Sequence, residues 1–242
     1  MPSSDRIARK LVDNLTKVTY GEILAKLKSL RNEKNIAGMA RFGIHSEKVF
    51  GISAPVLKTM AREIGRHHDL ALALWKSGYL EARILAALID EPEKVTQAQM
   101  ERWVRDFDNW AVCDTCCGSL FDKTPYAWKK ALAWSNRSEE FTKRAGFALM
   151  AWLAVHDKEA SDKKYQRFFS VIKRESTDDR NFVKKAVNWA LRQIGKRNRR
   201  LNKKAIQVAK EIQAINSKSA RWIAADALRE LTNPKVAERL KR

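Results

Sequence analysis

The chain has 242 residues, 45% of them hydrophobic, which is enough to build a sizeable core and too much for a disordered protein. Lysine and arginine outnumber aspartate and glutamate by 48 to 28, so the formal net charge is +20, spread from Arg6 to Arg242 rather than gathered in a tail. Such an excess points to a polyanion, above all nucleic acid, and the longest apolar run, 147–155, is far shorter than the ~20 residues of a membrane span.

Helical periodicity runs through the chain, and no alternating strand-like segment interrupts its few glycines and prolines. Thr19 and Glu22 form a capping box ahead of Ile23, Leu24, Leu27 and Leu30, and a second helix of about a dozen residues, around Ile36, Met39, Ala40 and Phe42, is closed by Gly43. After a loop over 44–52, Ser53 and Pro55 start a helix with Leu57, Met60, Ala61 and Ile64 that Gly65 ends. Further helices follow over 70–75, 80–89, 96–107 and 110–121, then from Pro125 over 125–134, 141–155, 161–172, 182–195, 201–212 and 219–231. Their connections are short, as between antiparallel neighbours, and no linker divides the chain, so one domain over 1–242 is expected.

Several second helices begin alike, with a base followed by small and apolar residues: Arg83, Arg144, Lys185 and Arg221, spaced by 61, 41 and 36 residues. The first gap is near twice a repeat length, and halfway along it lies Asp114-Thr115-Cys116-Cys117-Gly118-Ser119, the same small-residue pattern with an acid in place of the base. Helix-pair repeats of this length stack into a solenoid whose second helices line the concave side. The expected fold is all-α, a HEAT-like solenoid of antiparallel helix pairs with a concave basic groove, in which Asp114 is the exception to a ladder of cations.

Trp110 and Asp114 are four apart and share a helix face, as do Lys185 and Trp189. A carboxylate facing a polyanion repels it, so Asp114 either performs chemistry there or pairs with a neighbouring base such as Arg144 and orders the ladder. Trp75, Trp103, Trp128, Trp134 and Trp152 sit among apolar residues at helical spacing and read as packing, while Trp222 beside Arg221 stays ambiguous. Cys113, Cys116 and Cys117 have no second cysteine pair and no histidine near in sequence, so no metal site is expected, and His67 and His68 read as solvated residues at a helix end. The odd cysteine count and an N-terminus without an apolar signal region suit a cytoplasmic protein. The run Lys196-Arg197-Asn198-Arg199-Arg200 complements a helix C-terminus or holds phosphates.

Five blocks, in order, give the chain a resemblance to a known family: Met39-Ala40-Arg41-Phe42, Phe50-Gly51-Ile52-Ser53-Ala54-Pro55, Asn109-Trp110-Ala111-Val112-Cys113-Asp114, Lys143-Arg144-Ala145 and Lys184-Lys185-Ala186-Val187-Asn188-Trp189-Ala190-Leu191-Arg192. Over about 30–230 it resembles the DNA alkylation repair family of HEAT-like-repeat DNA glycosylases, the alkylpurine glycosylase D group. The resemblance implies hydrolysis of the N-glycosidic bond of cationic N3- or N7-alkylated purines in double-stranded DNA, without flipping the base into a pocket. It implies catalytic positions at Trp110, Asp114, Arg144 and Trp189 and contacts near the lesion from Phe42 and Ser53; together with the basic ladder and the basic run, DNA contacts are expected from Arg83, Lys143, Lys184, Lys185, Arg192, Arg197 and Arg221. Phe42 stands where some members carry tyrosine, and Ser53 where some have a longer polar side chain. A cationic purine leaves without a general acid, so neither metal nor organic cofactor is expected, and the protein is expected to act as a monomer. The alternatives are a non-catalytic relative that binds distorted or branched DNA and a HEAT-type protein-interaction scaffold.

Overall fold

The computed structural model describes residues 18–240. Among them the regular elements are fourteen α-helices and three short 3-10 turns, with no strand, as the periodicity predicts. The chain, read above as one domain over 1–242, forms two compact units that divide between Glu91 and Pro92, and each carries its own helix pairs.

The first unit contains α1 (Tyr20–Ser29), α2 (Glu33–Met39), α3 (Ala54–Ile64), α4 (His68–Lys76) and α5 (Leu80–Ile89). The capping box is present, with Thr19 accepting from the Glu22 N–H and the Glu22 carboxylate reaching back to the Thr19 N–H. α2 is shorter than its hydrophobic pattern suggests, seven residues that pass into a 3-10 turn at Ala40–Phe42, and Gly43, in the left-handed conformation (φ 72°), ends that turn. α5 packs against α3 and α4 and is buried nearly all round, so its one acid, Glu81, is inside the unit. Its carboxylate accepts from three backbone N–H groups, Phe50 (2.9 Å), Gly51 (2.6 Å) and Ile52 (3.2 Å), and thereby fixes the loop that leads to Ser53. His67 and His68 are not idle surface residues: the His67 ring accepts from the Leu70 N–H at 3.3 Å and caps α4, and His68 Nδ1 lies 2.6 Å from Asp90 Oδ1.

The second unit contains α6 (Gln97–Arg105), α7 (Trp110–Ser119), α8 (Ala127–Ser135), α9 (Glu140–His156), α10 (Asp162–Arg174), α11 (Asn181–Gly195), α12 (Arg199–Gln213), α13 (Lys218–Leu231) and α14 (Pro234–Arg239). Two layers result. In one, α7, α9, α11 and α13 pack each on the next; in the other, α8, α10 and α12 do the same, and α8, α10 and α12 each pack on the helix that follows. The 17-residue α9 lies at the centre, its stretch from Ala145 to Ala151 wholly buried. Pro125 does not open α8; it sits in a turn that Thr124 holds by donating to the Phe121 carbonyl at 2.8 Å, and the helix begins at Ala127. The sequence reading omits α14, although Asn233 and Pro234 carry the capping residue and first-turn proline of a helix start.

Close approach of α8 and α9 depends on Gly146. A β-carbon there would lie 2.4 Å from the Ser135 backbone nitrogen and 2.8 Å from its α-carbon, neither of which can move without moving a helix. Gly146→Ala is expected to destabilise the protein by about 1–3 kcal/mol, the cost of overpacking a filled interior, read from denaturant melts.

Candidate active site

Three positions of the ladder share a register, while Arg83 and Arg221 are the fourth residues of α5 and α13. Asp114, Arg144 and Lys185 are each the fifth residue of their helices, α7, α9 and α11. Asn109 caps α7 by accepting from the Val112 N–H at 3.0 Å, which places Trp110 as its first residue and Asp114 one turn later on the same face. The two adjacent ladder positions meet: Arg144 donates from Nε to Asp114 Oδ1 at 2.9 Å and from Nη2 to Asp114 Oδ2 at 2.7 Å. The third arm of the guanidinium, Nη1, donates to the Phe182 carbonyl at 2.7 Å in the first turn of α11. One arginine therefore ties α7, α9 and α11 together.

The ion pair is not sealed. Arg144 is 8% exposed, but the Asp114 side chain keeps 21% of its surface open to solvent. Withdrawal from water pushes the Asp114 carboxyl above its ordinary value, and the charge and hydrogen bonds of Arg144 pull it down without cancelling that effect. For Arg144 burial works against the cation, and the attraction of Asp114 outweighs it, so the guanidinium is held more firmly protonated.

Trp152, assigned from sequence to packing, belongs to this locus. Its indole Nε1 donates to the Asp114 carbonyl at 3.2 Å, and its ring meets Trp189 edge-to-face with centroids 5.4 Å apart and planes at 83°. Its other neighbour is His156, stacked at 4.9 Å, whose ring pairs in turn with Asp122. The sequence signal for Trp152 was Gly118, one turn after Asp114: a β-carbon on Gly118 would lie 2.2–2.5 Å from atoms of the Trp152 indole. Trp110 and Trp189 are both half-buried, so each indole shows part of its surface to solvent. The cysteines are buried packing residues between helices, with Cys113 Sγ donating to the Phe141 carbonyl and Cys117 Sγ to the Ala145 carbonyl, and burial pushes the Cys117 thiol well up. Among the described residues no three His, Cys, Asp or Glu side chains are placed to hold a metal ion, and no helix is long and apolar enough to cross a membrane.

The other basic positions divide into engaged and open ones. Lys143 is held by Glu175 at 2.5 Å and Asp178 at 3.5 Å, and Arg192 by Glu230 at 2.5 Å and Asp226 at 3.4 Å. Arg197 donates to the carbonyls of Ala154, Lys158 and Ala160 and lies 4.4 Å over the Tyr165 ring, stapling the ends of helices together. Lys185 and Arg221 are exposed, and Lys184 is half-buried beside Trp222. In the first unit Phe42 is 69% exposed, Ser53 is exposed at the start of α3, and the Arg83 guanidinium lies 5.4 Å from the Trp75 ring centre.

A stack of antiparallel helix pairs with a charged locus on its second helices defines a helical-repeat protein of the HEAT-like kind. A solved structure bears this out at a TM-score of 0.75 and 21% identity, covering 88% of this chain and 96% of that one; it represents a new family of proteins related to the HEAT-like repeat DNA glycosylases with affinity for branched DNA structures. The chain belongs to the DNA alkylation repair enzyme family, whose sequence model matches residues 23–231. It is also similar to two uncharacterized proteins, Lin0241 of Listeria innocua, 24% identical over 203 residues, and Lmo0209 of Listeria monocytogenes, 22% identical over 203 residues. Each alignment covers 82% of this chain and 88% of the relative.

Because Gly118 makes the room that Trp152 occupies, Gly118→Ala is expected to displace the indole from both Asp114 and Trp189. The near-ultraviolet circular dichroism of the coupled indoles should fall while the far-ultraviolet helical signal stays; an unchanged near-ultraviolet spectrum would contradict the packing described.

Proposed function

We propose that the protein is a monofunctional DNA glycosylase that acts as a monomer on duplex DNA and hydrolyses the N-glycosidic bond of purines made cationic by N3- or N7-alkylation. Family membership supports repair of alkylated DNA. The observation that carries the finer reading is a partly open, ion-paired carboxylate, Asp114, at a junction flanked by tryptophans on three helices.

An alkylated purine already carries the positive charge that makes it depart, so cleavage of the bond from C1′ sends the electron pair to a neutral base and needs no protonating side chain. What needs stabilising is the oxocarbenium-like sugar left behind. The fixed negative charge of Asp114 does this in partly desolvated surroundings, and water then adds to C1′ and passes its proton to solvent. Each Asp114 oxygen accepts one N–H from Arg144, and a carboxylate oxygen has a second lone pair for the sugar cation or the water. Trp110 and Trp189 supply ring faces to a cationic sugar, worth about 0.5–2 kcal/mol each according to their desolvation. Arg144 orients the carboxylate, and Lys185 and Arg221, both exposed, hold backbone phosphates with Lys184, Arg83, Phe42 and Ser53 as further contacts. In this reading Lys143, Arg192 and Arg197 reach DNA only by leaving their present partners.

A second reading, DNA binding without base release, is favoured by one observation: both Asp114 oxygens already have a partner in Arg144. The solved relative belongs to a family described as having affinity for branched DNA structures, which suits a DNA binder of either kind. Release of 7-methylguanine from methylated duplex DNA separates the two. Asp114→Asn is expected to lower release by about 10²–10³-fold while duplex affinity stays within a small factor, and an intact protein that releases no base would leave only the second reading.

The pH profile carries its own sign. Release requires ionised Asp114, so it falls as pH drops through the carboxyl's value, which burial holds above the ordinary 3.8. Arg144 pulls that value down; Arg144→Lys keeps a charge but loses the two-pronged bond, so the acid limb of background-corrected release should move to higher pH. A limb that does not move would remove Arg144 from the mechanism.

A further inference from the structure

Among the tryptophans, Trp222 is out of place. Trp75, Trp103 and Trp134 keep 4% of their surface or less in water, whereas Trp222, on the second turn of α13, keeps 41%. Leaving an indole exposed forgoes the burial that stabilises its relatives, so packing does not account for it. It lies beside an unusual set of charges. The Lys184 ammonium, on α11, sits 5.2 Å from the Trp222 ring centre, and Lys185, next to it in sequence, and Lys218 and Arg221, one turn before and next to Trp222 on α13, have exposed side chains.

The neighbouring charges behave differently. Arg180 and Lys143 are held by Asp178, and Arg192 and Arg229 by Asp226, the one acid a turn beyond Trp222 on its own helix. Lys184, Lys185, Lys218 and Arg221 have no carboxylate partner among the described residues; the Arg221 guanidinium donates to the Asn216 side-chain carbonyl. An open aromatic ring among four cations without counter-charges suits a ligand that is anionic and aromatic together, which is the chemistry of a nucleotide. Bases inside a duplex have their faces covered by their neighbours, so only an unpaired nucleotide offers one to an indole.

We propose that Trp222, with Lys184, Lys185, Lys218 and Arg221, is a stacking platform for an unpaired nucleotide where a single-stranded arm leaves a duplex. An arriving base takes the place of the Lys184 ammonium over the indole, and the flexible lysine turns to the adjoining phosphate, so stacking of the base also frees a charge for the backbone. The site is separate from Asp114, and it rests on the reading of the protein as a DNA binder.

Fluorescence anisotropy with the full chain tests this on two probes, a blunt duplex and the same duplex with a single-stranded arm. The intact protein should bind the armed probe more tightly. Trp222→Ala should lose at least about five-fold on the armed probe, the low end of what one base stacked on an aromatic ring is worth, and less than about two-fold on the blunt one. Trp222→Phe, which keeps an aromatic face, should retain most of the preference. Equal affinity of the intact protein for the two probes, or equal losses on both in Trp222→Ala, would overturn the proposal while leaving duplex binding and base release untouched. Failure of the intact protein to bind either probe would overturn the DNA-binding reading and the platform with it.

Discussion

Arg144 binds three consecutive second helices at one point. Its two-pronged bond to Asp114 crosses from α9 to α7, and its remaining arm crosses from α9 to the first turn of α11. Charge-assisted, bidentate bonds of this kind fix geometry as well as contribute energy, and breaking one by removing a partner leaves a buried charge uncompensated, at about 3–5 kcal/mol. The register of the second unit and the chemistry assigned to it thus depend on the same atoms. A carboxylate that would otherwise repel DNA is tolerated in a chain of net charge +20 because its neighbour in the ladder turns inward to meet it.

Room for that arrangement comes from residues without bulk. Gly118 lets the Trp152 indole lie against α7, Gly146 lets α9 approach α8, and Cys113 and Cys117 bring their thiols onto carbonyls of α9. The result is a row of aromatic rings, Trp189, Trp152 and His156, with Asp114 beside its middle member and the buried Asp122, whose carboxyl burial raises, at the His156 end. Indoles anchored in this way lose little conformational freedom when a ligand arrives, as the proposed contact with a cationic sugar requires.

The fold was largely legible in the sequence, because helix periodicity, capping boxes and a recurring base at the start of second helices are local signals. The pairing of Asp114 with Arg144 was also within reach: two positions a repeat apart with opposite charge are neighbours once helices stack in register. What was not legible depended on non-local space. Trp152 looked like core because its neighbours in sequence are apolar, and only the gap left by Gly118 on another helix shows why it reaches Asp114. Lys143, Arg192 and Arg197 looked like groove cations, yet Glu175, Glu230 and a set of carbonyls distant in sequence engage them. The helix at Pro234 escapes a sequence reading despite a good start signal, since it is only six residues long and shows no full period. Pro125 was misplaced for the opposite reason: a residue that suits a first helical turn also suits the turn before it.

The role proposed for Asp114 is to stabilise positive charge at a sugar. It is tested most directly by comparing two duplexes of one sequence, one with a cationic aza-sugar at the lesion position and one with a neutral abasic analogue of the same shape, because a mimic of the charged intermediate should gain what the transition state gains. The intact protein is expected to prefer the cationic duplex by at least about ten-fold, and Asp114→Asn to bind both alike. Equal affinity of the intact protein for the two duplexes, or a preference that survives in Asp114→Asn, would contradict it.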